Sequence, residues 1–321
     1  MQNYKIIFAS IKELFPNPHG KTCMKLFDAH HHLWDLESVN YVWLKQPGVA
    51  KPFGDPTPIQ KDYLPHHFLD DVSGAEDVFL VGSAHIQVDG ALADPVSETN
   101  WLCKLSKSGI PSAIVGFVDL TKEDAEVVLK KHLSFDEFRG VRQIIGFIEQ
   151  RPDLSFTKEH LLRNSSWQGN FALLEKHTLS FELQLYPEQM KEAAEFLSGF
   201  PKVPIVIDHA GSPYDQSDSG ISLWSEGLSA LAKLPNIHIK ISGFGMYDSD
   251  WSTESSLVLF QTILELFGAH RIMWGSNFPV DSLMKSYSFC VTQMLDWISP
   301  LSPKEQRLIA ADTAIKFYRV T

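Results

Sequence analysis

The sequence predicts a single α/β domain folded as a (β/α)8 TIM barrel. Three observations lead there. Eight short runs read as strands, amphipathic helix-period runs lie between most of them, and polar side chains recur on one face of the strands or at their C-terminal ends. Repeated strand–helix units imply parallel pairing with right-handed crossovers, and eight such units close into a ring. The rival is an open doubly wound sheet, and no Gly-rich phosphate loop supports it.

In order, the strands are "KLFDAH" (25–30), "DVFLVGSAHIQV" (77–88), "SAIVGFVDL" (112–120), "RGVRQIIGF" (139–147), "LSFELQLY" (179–186), "VPIVIDHA" (203–210), "IHIKISG" (237–243) and "RIMWGS" (271–276). Helices are expected between them. "SETNWLCKLSKSG" (97–109) runs from a Ser start to a Gly stop, and "TKEDAEVVLKKHL" opens with Thr121 and Asp124, close to a capping box. "YPEQMKEAAEFLSG" carries Pro187 near its start, and "SSLVLFQTILELFG" is apolar on more than one face. The closing "SPKEQRLIAADTAIKFY" combines Ser302, Pro303 and Glu305, a capping box with proline at the first helical position. Residues 1–24 read as a short N-terminal extension and 25–321 as the barrel; the Pro-rich stretch 47–65 is a long loop of the functional kind.

The chain has 321 residues, 44% hydrophobic and 21% charged, which suits a soluble globular domain with a sizeable core. Its 28 basic and 39 acidic residues leave a formal charge of −11 without a basic cluster, which argues against nucleic acid. Cys23, Cys103 and Cys290 are scattered and odd in number, so a disulfide framework is not expected. The N-terminus has no apolar core of a secretory signal and no stretch approaches a membrane span, so a cytoplasmic location is expected.

Side chains alternate along a strand. On that rule Asp28, His30 and His32 face the barrel interior, whereas Phe27, Ala29 and His31 face the helices. Glu182, Gln184 and Tyr186 face inward on the fifth strand, and His238, Lys240 and Ser242 on the seventh. His85 and Gln87 share a face on the second strand, and Arg142 lies opposite Val141 on the fourth. A purely structural interior would be layers of Val, Ile and Leu. A buried Lys240 needs a counter-charge, for which Asp28 and Glu182 are the expected partners. His30, His32, His209, Ser242 and Asn277 end their strands, where barrel active sites lie. Singly each has an ordinary reading: a His-x-His is a frequent accident, and a strand-end histidine is more often hydrogen-bonded core. Together they point to one pocket.

"DAHHHLWD", "SETNWL" with "IVGFVDL", "FRGVRQ", "PIVIDHAG", "IKISG", "GSNFPVD" and "AIKFY" follow one another as in the amidohydrolase superfamily. The chain most resembles the amidohydrolase-2 branch with its sugar-lactone and pyrone-dicarboxylate lactonases, over residues 25 to 319. The resemblance implies hydrolysis of a small polar lactone, a sugar-acid lactone among the candidates, by water attack on the ring carbonyl. It implies either no metal or one divalent ion, zinc foremost, at His30, His32 and His209. His30, His32, His209, Lys240 and Asn277 are then the catalytic candidates, with Lys240, His30 and His32 stabilising the oxyanion. Trp34, Trp43, Gln87, Arg142, Tyr186 and Ser242 are the substrate-binding candidates, with Tyr41 and Trp34 walling the pocket.

One departure stands out. The superfamily usually ends its last strand in "GSD", and this chain has "GSN"; Asn277 cannot act as a carboxylate base. The base is then His30, His32, His209 or a metal-activated water, with Asp281 weaker. A metal-dependent decarboxylase and a non-catalytic binder of a small acid are the alternatives. The expected partner is a small lactone or sugar acid, with a homo-oligomer left open.

Overall fold

The computed structural model describes residues 23–48, 51–105, 109–248 and 251–320; the expected N-terminal extension lies, but for its last two residues, outside the described residues. Runs rich in Ile, Val, Leu and Phe form eight strands: β1 (Met24–His31), β2 (Val78–Ile86), β3 (Ala113–Gly116), β4 (Phe138–Arg142), β5 (Ser180–Leu183), β6 (Ile205–Ile207), β7 (Ile237–Ile241) and β8 (Ile272–Trp274). They pair in sequence order, every pair parallel. The ring comes back on itself just past β8. There Asn277 N donates to His30 O at 2.7 Å, and His32 N to Phe278 O at 2.7 Å. These are the barrel and the eight strands that the sequence predicts.

A helix follows each strand: α1 (Pro65–Ser73), α2 (Val96–Leu105), α3 (Ala125–His132), α4 (Ser165–Lys176), α5 (Met190–Leu197), α6 (Asp218–Ala232), α7 (Thr253–Phe267) and α8 (Tyr287–Ile298). Capping side chains start several of them. Asn164 accepts from Trp167 N at the head of α4, and Ser286 from Phe289 N at the head of α8. The sequence places the start of α3 four residues too early. Asp119 Oδ1 accepts from both Thr121 N (3.0 Å) and Thr121 Oγ1 (2.7 Å), so the threonine closes a turn instead of capping a helix. The outward faces of β5 and the helices over it bury Trp167, Phe171 and Phe181, each contributing about 1.5–3 kcal/mol of hydrophobic stabilisation. Among the described residues no helix is long and apolar enough to cross a membrane.

The C-terminal segment closes the floor of the barrel. It runs as α9 (Pro303–Arg307), one wide turn (Leu308–Asp312) and α10 (Thr313–Phe317), and it opens on the Ser302–Glu305 capping box. Ala311, Ala314, Phe317 and Tyr318 pack with Phe27, Ala29, Ala84, Ile86, Ala113, Val115, Val206 and Met273 in one interior cluster.

Strict alternation fails on β1. The β1–β2 register shifts between Leu26 and Phe27 and again between Asp28 and His31. Such bulges reset which way the following side chains point. Phe27 and Ala29 therefore join the interior, while Asp28 turns outward to accept from Tyr287 Oη on α8 at 3.1 Å. Asp28 is thus not a partner of Lys240, contrary to the alternation rule. His85 and Gln87 also part company, because β2 ends at Ile86 and Gln87 lies beyond it. His85 faces His31 and the α2 carboxylate Glu98, with its Nε2 3.6 Å from Glu98 Oε1, while Gln87 reaches the mouth of the barrel.

Candidate active site

A cavity of about 430 Å³ opens beyond the C-terminal ends of the strands. Each strand sends a residue to it: His32 after β1, Gln87 after β2, Phe117 after β3, Arg142 on β4, Gln184 after β5, His209 after β6, Met246 after β7 and Asn277 after β8. One wall is aromatic. Trp34 is fixed by Nε1 donating to Lys61 O at 2.6 Å and meets Trp43 edge-on at 6.0 Å; Trp43 in turn meets Phe53 at 6.2 Å. Lys51 Nζ lies 5.3 Å over the Trp43 ring, so the long Pro-rich loop forms part of the wall.

The histidines converge as a group. The His30 ring lies 5.1 Å from His32 and 4.5 Å from His209. His31 points the other way, stacked on Phe68 of α1 at 4.2 Å. His32 Nδ1 is 2.7 Å from Ile86 O. A carbonyl only accepts, so Nδ1 carries the hydrogen and Nε2 keeps a lone pair. His209 sits on a strained turn, with φ of 51° for itself, 53° for Ala210 and 54° for Ser212. Its Nδ1 is 3.2 Å from Ser242 Oγ. Burial holds all three imidazoles neutral: it drives His209 down to about 3 against the opposing pull of Asp208, and takes His30 and His32 well below the usual imidazole value.

Beneath this layer lies a fully buried ionic cluster. Lys240 Nζ contacts Glu182 Oε2, lies 3.1 Å from Asp208 Oδ1 and donates to His30 Nδ1 at 3.2 Å. Glu182 Oε1 accepts from Tyr318 Oη at 2.7 Å, which ties the cluster to the C-terminal plug. Arg142 donates to Gln87 O and to Gln184 Oε1 (3.2 Å) and stands 3.5 Å from Asp208 Oδ2. The two carboxyls share the ammonium unequally. Burial alone would raise Asp208, but Lys240 and then His30 pull it well below the usual carboxylate range. Burial lifts Glu182 to about 8, with Lys240 opposing.

Asn277, at φ 56°, donates from Nδ2 to Asp281 Oδ1 at 2.7 Å. This fixes the amide so that Oδ1 is directed away from Asp281. Asp281 is buried, and its carboxyl is pushed up to about 7.

The structure therefore brings His32, His209, Asn277, Trp34, Trp43, Gln87 and Arg142 to the cavity wall. His30 and Lys240 lie behind that wall, Ser242 backs His209, and Tyr186 donates to Leu154 O at 2.6 Å instead of facing the cavity. Direct contact of Lys240 with a substrate, expected from sequence, is thus not what the wall offers. Asp208 is the residue that sequence reasoning passed over, although Val206 and Asp208 alternate with the apolar Ile205 and Ile207 and so carried the inward signal. One donor atom each from His30, Asp208 and His209 lies within 4.8 Å of the others, a spacing a divalent metal could use. His32 stands outside that trio.

A family model described as Amidohydrolase matches residues 27–320. The chain belongs to the amidohydrolase family. This amidohydrolase is 36% identical to the uncharacterized protein y4mH of Sinorhizobium fredii, over 92% of this chain and 98% of that one. It is 27% identical to an L-fucono-1,5-lactonase of Burkholderia ambifaria, over 91% of this chain and 95% of that one. An amidohydrolase of Burkholderia multivorans, crystallised with bound zinc, has the same fold, with a TM-score of 0.75 at 22% identity over 92% of this chain and 99% of that one.

Proposed function

We propose that this amidohydrolase opens a small neutral lactone, a sugar-acid lactone of the kind its L-fucono-1,5-lactonase relative is named for, by adding water to the ring carbonyl. The observation that carries the reading is the convergence of His32, Gln87 and Arg142 on one cavity wall from three different strands, with His32 Nε2 keeping a lone pair because Nδ1 donates to Ile86 O. A ring hydroxyl pairs with Gln87 and a carbonyl oxygen with Arg142. The lone pair on His32 accepts a proton.

The chemistry then follows from residues on the page. Water attacks the carbonyl carbon as its proton passes to His32 Nε2. The Arg142 guanidinium stabilises the oxyanion, usually the largest single contribution to such catalysis. The ring C–O bond breaks as the tetrahedral centre collapses, and the His32 proton goes to the departing alkoxide. Asn277 Oδ1 and His209 hold the water and the ring in line. Among the described residues no serine or cysteine lines the cavity, which favours water as the nucleophile. Arg142 is already engaged by Asp208 and Gln87 O, so a substrate bearing several carboxylates fits this wall poorly.

The fit of a divalent ion can be tested on the donor set. His30, Asp208 and His209 have the right chemistry, but the Lys240 ammonium stands among them. The residues as arranged do not fit an ion, and no step is routed through one. A panel of sugar lactones, scored for acid release with wild type against His32→Ala, tests the proposal. Turnover by wild type alone supports it. Equal rates for the two proteins, or CO2 release from aromatic acids in place of ring opening, would count against it.

A further inference from the structure

Four of the most deeply buried charged groups in the described residues, Lys240, Glu182, Asp208 and Arg142, belong to one cluster under the cavity, and hydrolysis of a lactone does not explain why a lysine is at its centre. We propose that the Lys240 ammonium occupies the place of a divalent metal, a tethered cation that holds the His30–Asp208–His209 donors together and keeps an ion out.

The geometry argues this three ways. The first is space. Asp208 Oδ1 and His30 Nδ1 are 3.3 Å apart, and Nζ lies 3.1 and 3.2 Å from them. An ion bonded to both atoms at about 2.1 Å would lie no further than about 4 Å from Nζ, a like charge in the protein interior.

The second is lone pairs. Lys240 Nζ meets a donor atom of each residue, His30 Nδ1 at 3.2 Å and Asp208 Oδ1 at 3.1 Å. An ammonium only donates, so it occupies the Nδ1 lone pair that an ion at this atom would need, and a neutral imidazole that accepts at Nδ1 carries its hydrogen on Nε2.

The third is charge. Two cations, Lys240 and Arg142, already face the Asp208 carboxylate and the Glu182 carboxyl, with all four buried. Adding a doubly charged ion would leave the excess uncompensated in a site closed to solvent. The lysine is also anchored. It lies on β7, and the Tyr318 ring sits 5.8 Å from its Nζ while the Tyr318 hydroxyl holds Glu182. It is not a long side chain free to swing aside.

Metal uptake by the whole protein tests the proposal without any substrate, so its failure is separate from failure of the lactone reading. Wild type, Lys240→Met and the charge-balanced Lys240→Met/Glu182→Gln variant are dialysed against zinc and then against metal-free buffer. Bound zinc is measured by elemental analysis, and cobalt(II) is used in parallel for its visible absorption bands. The expected result is less than about a tenth of an equivalent in wild type and about one equivalent in the variants, lost again on adding Asp208→Asn. Zinc should also raise the unfolding temperature of the variants and leave that of wild type unchanged. One equivalent in wild type, removed by Asp208→Asn, would overturn the proposal, and so would folded variants that take up no ion. The double variant carries the comparison if Lys240→Met alone does not fold. If neither folds, the wild-type stoichiometry decides on its own.

Discussion

Gly243 sets the position of His209 without facing the cavity itself. It follows Ser242 at φ +66°, and a methyl group on its Cα would fall 2.3 Å from His209 Nδ1 and 2.7 Å from Cγ. Ordinary van der Waals contact begins at 3.4 Å, so the ring would have to retreat by about 1 Å (3.4 − 2.3). That retreat breaks the 3.2 Å contact with Ser242 Oγ and takes the imidazole out of line with the carbonyl. A misplacement of about 1 Å costs up to about 100-fold in rate. The left-handed backbone adds about 1–2 kcal/mol of destabilisation for any residue with a Cβ. Gly243→Ala should therefore lower kcat about 100-fold on the best lactone of the panel, with only a modest loss of stability. Gly268→Ala is the reference for backbone strain away from the site: Gly268, at φ +65° and ψ 155°, lies in a region even less open to a residue with a Cβ, and its added methyl meets only the His270 ring at 3.1 Å. Steady-state kinetics and denaturant unfolding on both variants decide. Full activity in folded Gly243→Ala, or an equal activity loss in Gly268→Ala, would refute the positioning of His209.

Two further outcomes concern the buried acids. Tyr318→Phe removes the hydroxyl that donates to Glu182 Oε1 and leaves a buried carboxyl oxygen unmatched, at a cost of about 1–3 kcal/mol; urea unfolding should show an earlier midpoint with an unchanged slope, and an unshifted midpoint would contradict it. Asp281→Asn keeps an acceptor for Asn277 but removes a group raised from 3.8 to about 7. Between these values folded wild type keeps a proton that the unfolded chain has released, so its stability falls as pH rises from about 4 to about 7. The variant lacks that proton, so the stability difference between the two proteins should shift toward the variant across the same window. Parallel melting curves from pH 4 to pH 7 would show that Asp281 is not perturbed.

The parts of the molecule legible in the sequence were those governed by local patterning. All eight strands could be found because most are short runs rich in Val, Ile, Leu and Phe set between helical patterns and turn formers. Five of the helical segments were legible from their caps and periods, whereas α1, α4, α6 and α8 were not singled out, although Asn164, Ser217 and Ser286 cap the last three. Inward parity worked for Glu182 and Lys240, which meet as expected, but not for Tyr186 beyond the end of β5, whose hydroxyl donates to Leu154 O. It failed on β1, where two register shifts turn Asp28 toward α8 and part it from Lys240. A bulge depends on the partner strand and leaves no mark in the sequence of one strand. The interior position of Tyr318 was illegible for a related reason, since its contacts with Ala29 and Glu182 lie 289 and 136 residues away in the chain.

The two halves of the barrel explain how so charged an interior is held. β1, β2, β3 and β8 point Ala29, Ala84, Ile86, Ala113, Val115 and Met273 inward, small and apolar, and Phe27 stacks over the Tyr318 ring at 6.2 Å. β4 to β7 point Arg142, Glu182, Asp208 and Lys240 inward. A charge in a dry interior survives only when opposite charges and donors surround it on every side. The apolar half supplies the dryness and the tyrosine-bearing plug supplies the last donor, so neither half would hold the cluster alone. In such a setting the ammonium and guanidinium act at low effective dielectric and need no reorganisation when charge develops above them. A carbonyl bound over this floor therefore meets a preformed positive field, while His32 keeps its lone pair because the same field and burial prevent it from taking a proton before water is in place.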